Sequence, residues 1–390
     1  MNREHFPRDP FDVVLVGGGL QNCLVALAFI ELRPGARIAL LERGPRLGGN
    51  HTWSFHSGDV PGRARQLIDS LVVARWDGYD VAFPAHARWL PLPYASISSE
   101  RLHAVVAKRL ASAPGCELRL ESRVIDVRAD SVVLDGGEVI SGKLVVDSRG
   151  PEQCETTRGR GGYQKFVGLE LALSADSPRT RPLLMDARVP QTDGFRFFYV
   201  LPFEARRVLV EDTYFSDTPD LEPLARELDV VEYARAAGMR VAGVLRREQG
   251  VLPMPTRVAP APAGTTPLIG GYAGGWFHPA TAYSLPVALR LALHLAEHFP
   301  DDVFGEDWER LVSEHGTQAR FATWLNRLLF GVFRPETRYG ALERFYRSSE
   351  ALIERFYALR TTRLDRLHLL CGKPPRGLSL PSPLTRRMAS

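Results

Sequence analysis

A chain of 390 residues, 45% hydrophobic and 24% charged, has the make-up of a folded globular protein with room for two domains around substantial cores. Its net charge of +4, carried mainly by arginine without a dense basic block, argues against nucleic-acid binding and leaves only a weak pull toward anionic membrane surfaces. Four widely spaced cysteines (Cys23, Cys116, Cys154, Cys371) rule out a CxxC pair or zinc knuckle, and no signal peptide or bilayer-spanning apolar run is expected.

In chain order, Asp12 to Val16 reads as a short buried strand, followed by the loop Gly17-Gly18-Gly19-Leu20-Gln21-Asn22 and an apolar helix from Cys23 to Leu32. Gly17 permits the tight turn, and Gly19 lets backbone N–H groups approach a pyrophosphate at the positive end of the helix. A second strand, Arg37 to Leu41, ends in Glu42, where a carboxylate accepts a ribose hydroxyl pair; this favours FAD or NAD over NADP. Asn22 departs from the pattern, standing where a third glycine is usual. No second glycine fingerprint follows, so with FAD in the first site any nicotinamide would visit transiently or reduce the flavin from a shared face.

Ser98 to Ala111 is an expected helix, and Glu117 to Leu120, Ser131 to Leu134 and Leu144 to Asp147 are expected strands, the last returning to the cofactor sheet. A loop rich in Gly, Arg and Thr (residues 152–162) leads into a second domain. Phe195 to Leu201 alternates, with Phe195, Phe197 and Tyr199 on one face, and turns back through Arg207 to Phe215 as an antiparallel hairpin. A proline-rich crossing, Pro253 to Pro267, precedes the glycine loop Gly270 to Gly275 and a helix from Pro286 to His298. Within that helix His294-Leu-Ala-Glu-His298 matches a zinc-peptidase pattern, but it falls in a last turn with no third ligand in view, and no metal is expected. Glu343-Arg-Phe-Tyr346 recurs as Glu354-Arg-Phe-Tyr357; the stripe fits a helix pair packed on its own core, favoured here, or a surface resting on lipid. Residues past Gly372 are expected to be disordered.

Together these segments resemble the bacterial lycopene β-cyclases, FAD-dependent enzymes that close the ends of a linear carotenoid into rings. The resemblance runs from about Asp12 to Pro375. It rests on Val16-Gly-Gly-Gly-Leu20 with Asn22, Gly48-Gly-Asn-His-Thr-Trp-Ser-Phe-His56, Tyr94 with Ser96 to Arg101, Asp147 with Arg149-Gly150, and Met185-Asp-Ala187. It continues in Val210-Glu-Asp-Thr213, Phe277-His-Pro-Ala-Thr281 with Tyr283 to Pro286, Arg344 to Arg347 and Gly372-Lys-Pro-Pro375.

The resemblance implies an α/β fold: a Rossmann-like FAD-binding domain (1–60, 96–150, 255–330) interleaved with an antiparallel-sheet substrate domain (61–95, 151–254), plus C-terminal helices (331–372) and a flexible tail (373–390). It implies Glu211 as the acid that protonates a terminal C=C, and Asp212 as the residue that orients it or holds a water on the return path of the proton. Reduced FAD, with NAD(P)H as transient reductant, would be held by Gly17, Gly18, Gly19, Leu20, Gln21, Asn22, Glu42, Arg43, Gly48, Gly49, Arg101, Asp147, Gly270, Gly271, Pro279 and Thr281. Trp53, Phe197, Tyr199, Trp276, His278 and Tyr283 are the expected substrate pocket, His278 being as fit for a structural role. Lycopene or γ-carotene would be drawn from a membrane on whose cytoplasmic face the protein rests. The same layout would also serve a flavin oxidoreductase, such as a hydroxylase or prenyl-chain reductase, or a carotenoid-binding flavoprotein without catalysis.

Overall fold

The computed structural model describes residues 9–150, 161–258 and 264–371. The Gly/Arg/Thr loop, the middle of the proline-rich crossing, Cys154 and the Gly372 motif with its tail therefore fall wholly or partly outside the described residues.

A parallel sheet forms where the sequence places short β-branched runs. Strands Glu117–Arg119, Ile38–Leu41, Phe11–Val16 and Val139–Asp147 lie side by side in that order, and Leu268–Ile269 joins the last of them, also in parallel. Val16 stands opposite both Leu41 and Asp147, so three strand ends open on one edge. The helix Leu20–Leu32 starts three residues earlier than expected, and every residue from Leu20 to Phe29 is buried. An apolar surface on all sides is tolerated because this helix lies under the sheet and against the helices Leu285–His298 and Ser99–Ser112.

The second layer is a larger, mostly antiparallel sheet. Its order is Val241–Pro255, Gly161–Leu173, Arg207–Ser216, Phe195–Glu204, Leu183–Asp186, Tyr79–Phe83 and His86–Leu90. The expected hairpin is its centre, with Tyr199 opposite Glu211. The edge strand Val241–Pro255 pairs along the full length of Gly161–Leu173, and its prolines sit at the end where an edge tolerates them. Between the layers, Thr52–His56, Tyr94–Ser98 and Val72–Trp76 form a small sheet. Segment 61–95 is thus divided: Ala64, Ile68 and Leu71 join the dinucleotide-side core, while Tyr79 and Val81 join the core of the larger sheet. The 27-residue helix Glu306–Val332 runs past the expected boundary near residue 330, with Trp308 in the first core and Leu329 in the second.

Candidate active site

A cavity of about 1370 Å³ runs between the two layers from the glycine turn to the C-terminal helices. Its first end is built by the turn itself. Gly17, at φ +93°, lies so close to Ser148 that a Cβ would sit 3.0 Å from the Ser148 carbonyl oxygen. A Cβ on Gly19 would meet nothing within 4 Å, since it faces the cavity. Gly19 caps the helix without a side-chain hydrogen bond, and the first turn carries no acid, so its N–H groups are open to an anion. Glu42 lines the same space, with Gly18 N–H donating to Oε2 at 2.6 Å and Gly44 N–H to Oε1 at 2.7 Å. Leu20, Gln21, Arg43, Gly48, Gly49, Gly271 and Thr281 also line it. Gln21 Oε1 and Trp276 Nε1 are buried there without a hydrogen-bond partner among the described residues. An adenine dinucleotide fits the open N–H groups at the helix start and the glycine-lined space beside Glu42.

Several expected cofactor residues do other work. Asn22 is fully buried, and its amide donates to the carbonyls of Val16 and Gly17, both at 2.9 Å, while its oxygen accepts from the Ser148 hydroxyl. It staples two strand ends together where a third glycine would leave them apart. Asp147 is held in a two-pronged ion pair by Arg149, at 2.9 and 2.6 Å, and stands behind the lining. Arg101 is exposed and bonds the Ser70 carbonyl. Gly270 packs on Ser148, and Pro279 offers its carbonyl to Asn326; neither reaches the cavity.

The chemistry lies further in. Across four neighbouring strands, Tyr199, Glu211, Gly168 and Glu248 occupy one row. Gly168 supplies no side chain, and a Cβ there would be 2.8 Å from Glu248 Cγ, so the two carboxyl groups meet over the gap it leaves and hydrogen-bond. Glu211 accepts from the Thr213 hydroxyl at 2.6 Å. Glu248 accepts from Arg246 Nη1 at 2.7 Å and the Thr52 hydroxyl at 2.9 Å. Enclosure by protein pushes the Glu211 carboxyl well above the ordinary range, and the neighbouring Glu248 pushes it further. Arg246 ion-pairs with Glu248, whereas Glu211, whose carboxyl burial pushes toward the protonated form, lines the cavity.

Asp212 is not its orienting partner. Successive strand residues face opposite sides, and Asp212 points away, bound by Arg196 at 2.9 and 2.7 Å and by the Tyr214 hydroxyl at 2.7 Å. Thr213, two residues on and so on the same face, is the residue that hydrogen-bonds Glu211.

Tyrosines close the site. Tyr94, Tyr199, Tyr346 and Tyr357 line the cavity, and burial raises each phenol, Tyr357 to about 12, so all present neutral rings. Trp53 and Tyr283 line it as expected, and Trp276 shows it one edge while packing on Trp308 and His315. Phe197 is set back, supporting Tyr199 and Phe215 at ring distances of 5.2 and 5.6 Å. His278 is structural: burial lowers it to about 3, one ring nitrogen faces the Phe356 carbonyl at 3.0 Å, and the other accepts from Ala280 N–H. Nor does the repeated Phe-Tyr stripe form a surface, since Phe345, Tyr346 and Phe356 are buried. A second buried cluster escaped the sequence reading. Tyr283 donates to Asp59 at 2.6 Å, and burial pushes Asp59 up to about 7 despite that bond.

Residues 12–381 match the family model described as lycopene cyclase protein. The chain belongs to the lycopene cyclase family. It is 38% identical to the lycopene beta-cyclase of Pantoea ananas, with 94% of this chain and 95% of that one covered. It is 37% identical to the lycopene beta-cyclase of Pseudescherichia vulneris, at 93% and 94% coverage. Among solved structures, PqsL of P. aeruginosa in complex with 2-aminobenzoylacetate superposes with a TM-score of 0.64 at 17% identity, covering 87% of this chain and all of that one, a likeness of fold. The doubly layered α/β architecture expected of the family is thus the one this lycopene cyclase relative adopts.

Proposed function

We propose that this protein converts lycopene, through γ-carotene, to β-carotene, closing each linear end by proton-initiated cyclisation with reduced FAD bound at the glycine turn. The observation that carries this reading is Glu211, enclosed so that its carboxyl is held well above the ordinary range, in a tyrosine-walled cavity continuous with a dinucleotide-type site. Glu211 gives its proton to the terminal C=C, leaving a tertiary cation. The neighbouring double bond attacks it to close a six-membered ring, and loss of a ring proton to the carboxylate restores Glu211. Atoms and electrons balance without net oxidation.

The tyrosine faces stabilise the cation without attacking it, and the paired Glu248 keeps the acid protonated until substrate arrives. A reduced flavin held by Gly17, Gly18, Gly19, Gln21, Glu42 and Gly271 supplies an electron-rich ring system, and NAD(P)H serves only to prime it. No helix among the described residues is long and apolar enough to cross a membrane; the substrate is taken from lipid by a protein resting on the cytoplasmic face.

Glu211→Gln tests the proposal. Ring closure should vanish while the purified variant keeps its flavin and its yellow colour. Near-normal β-carotene output, or NAD(P)H consumption matching product mole for mole, would overturn it.

A further inference from the structure

At the end remote from the glycine turn, the cavity is lined by Leu325, Leu328, Phe333, Leu369, Leu370 and Cys371. Leu369 and Leu370 belong to the final described helix, Arg363–Leu370, and Cys371 caps it. That helix shows its leucines to solvent: Leu364 is 77% exposed, Leu367 57% and Leu370 45%. Spacings of three residues put the three on one stripe, which ends at the cavity rim. Beside it, Trp324 of the long helix is 38% exposed and stacks on Phe321, and Arg366 lies 5.0 Å over the Phe321 ring, so the two helices present one continuous patch.

The rim of this patch is cationic. Arg320 donates to the Thr317 hydroxyl, and Arg366 to the Thr361 hydroxyl and the Thr317 carbonyl. Among the described residues no carboxylate pairs with Arg320, Arg363 or Arg366, and the first and second crowd the third enough to lower its pKa, after burial. The sequence beyond Cys371 adds Lys373, Arg376, Arg386 and Arg387 and no acid.

We propose that Leu364, Leu367, Leu370 and Trp324, ringed by Arg320, Arg363 and Arg366, dock this protein on an anionic lipid bilayer, so that the cavity opens directly into the acyl layer. The leucines enter the headgroup–acyl boundary while the arginines meet lipid phosphates. The inference rests on the reading above that the substrate is a lipid-dissolved polyene.

Flotation of the flavin-loaded, full-length protein with vesicles tests it independently of catalysis. Wild-type protein should float with equimolar phosphatidylcholine and phosphatidylglycerol, far less with phosphatidylcholine alone, and less as salt rises. The double variant Leu364→Glu/Leu367→Glu should lower the bound-to-free ratio about 10- to 100-fold. Arg363→Glu/Arg366→Glu should lower it about tenfold on anionic vesicles and leave neutral ones unchanged. Both variants should keep wild-type turnover on detergent-dispersed lycopene and lose it on vesicle-borne lycopene.

Failure of the wild type to float, equal flotation of wild type and leucine variant, a concentration-dependent dimer abolished by Leu367→Glu, or vesicle binding that appears only after the residues beyond Cys371 are removed would each overturn the docking face. A wild type that floats as expected but forms no ring in either medium would instead overturn the proposed activity and leave the docking face standing.

Discussion

Glu248→Gln separates the acid from the group that keeps it protonated. The amide matches the carboxylate in size, and its oxygen can still accept from Thr52 and Arg246. What it removes is one negative charge beside Glu211. Glu211 is raised first by burial, which remains, and second by Glu248, which goes. Two unit charges about 4 Å apart interact by about 4 kcal/mol at an effective dielectric near 20. Arg246 already offsets part of that, so about one-third to two-thirds is the fair range, equivalent to about 1–2 pH units. The protonated carboxyl is the active form, so kcat falls as pH rises through its pKa. Lowering that pKa moves the fall toward acid. Well above both pKa values the variant should therefore turn over about 10- to 100-fold more slowly, and at sufficiently low pH it should match the wild type. KM should not change. Initial rates of β-ring formation across the pH range, with flavin pre-reduced, give the answer. A descending limb left where the wild type has it, or a deficit that persists at low pH, would refute the shared-proton account.

Gly168→Ala should push the pair apart, because its Cβ would lie 2.8 Å from Glu248 Cγ and 3.1 Å from Oε1; we expect about a tenfold loss of kcat. Gly243→Ala in the edge strand, with nothing within 4 Å of the new Cβ, should leave kcat unchanged, and equal effects would discredit the spacer role. Gly19→Val projects a side chain into the cavity without meeting protein, so flavin should be lost while the thermal midpoint of the apoprotein is kept; a yellow variant would contradict the placement. Asp59 is raised to about 7 by burial from an ordinary 3.8, so the folded state holds that proton more tightly than the unfolded chain. Its stabilisation is complete below the unfolded pKa and is lost as pH rises through the folded one. Asp59→Asn should abolish that decline, worth up to about 4 kcal/mol, in unfolding curves taken from about pH 4 to above pH 7; parallel pH profiles would show the carboxyl is not protonated in the fold.

The dinucleotide half was readable because its signals are local. Strand, glycine turn, helix, strand and Glu42 follow each other within about thirty residues, and each depends on its neighbours in the chain. The hairpin was readable by alternation, and the same rule should have removed Asp212, which must face away from Glu211. Glu248 was invisible because its strand was. Val241–Pro255 is an edge strand in which Arg246, Arg247 and Glu248 interrupt any apolar alternation, and its glycines and prolines read as loop. Its identity comes only from pairing with a strand some eighty residues away. Asn22 departs from the usual glycine pattern, and its structural role is not readable locally for a similar reason: the carbonyls that use it converge from different strands.

Among the described residues, the cavity holds one Glu211–Glu248 couple. On the proposed activity, a C40 hydrocarbon closed at both of its like termini would be served twice at a single station. After the first closure the half-finished molecule has to withdraw, reverse end for end and return. Whether it is released in between depends on the doorway, so the ratio of monocyclic to bicyclic product records how often the molecule escapes between visits.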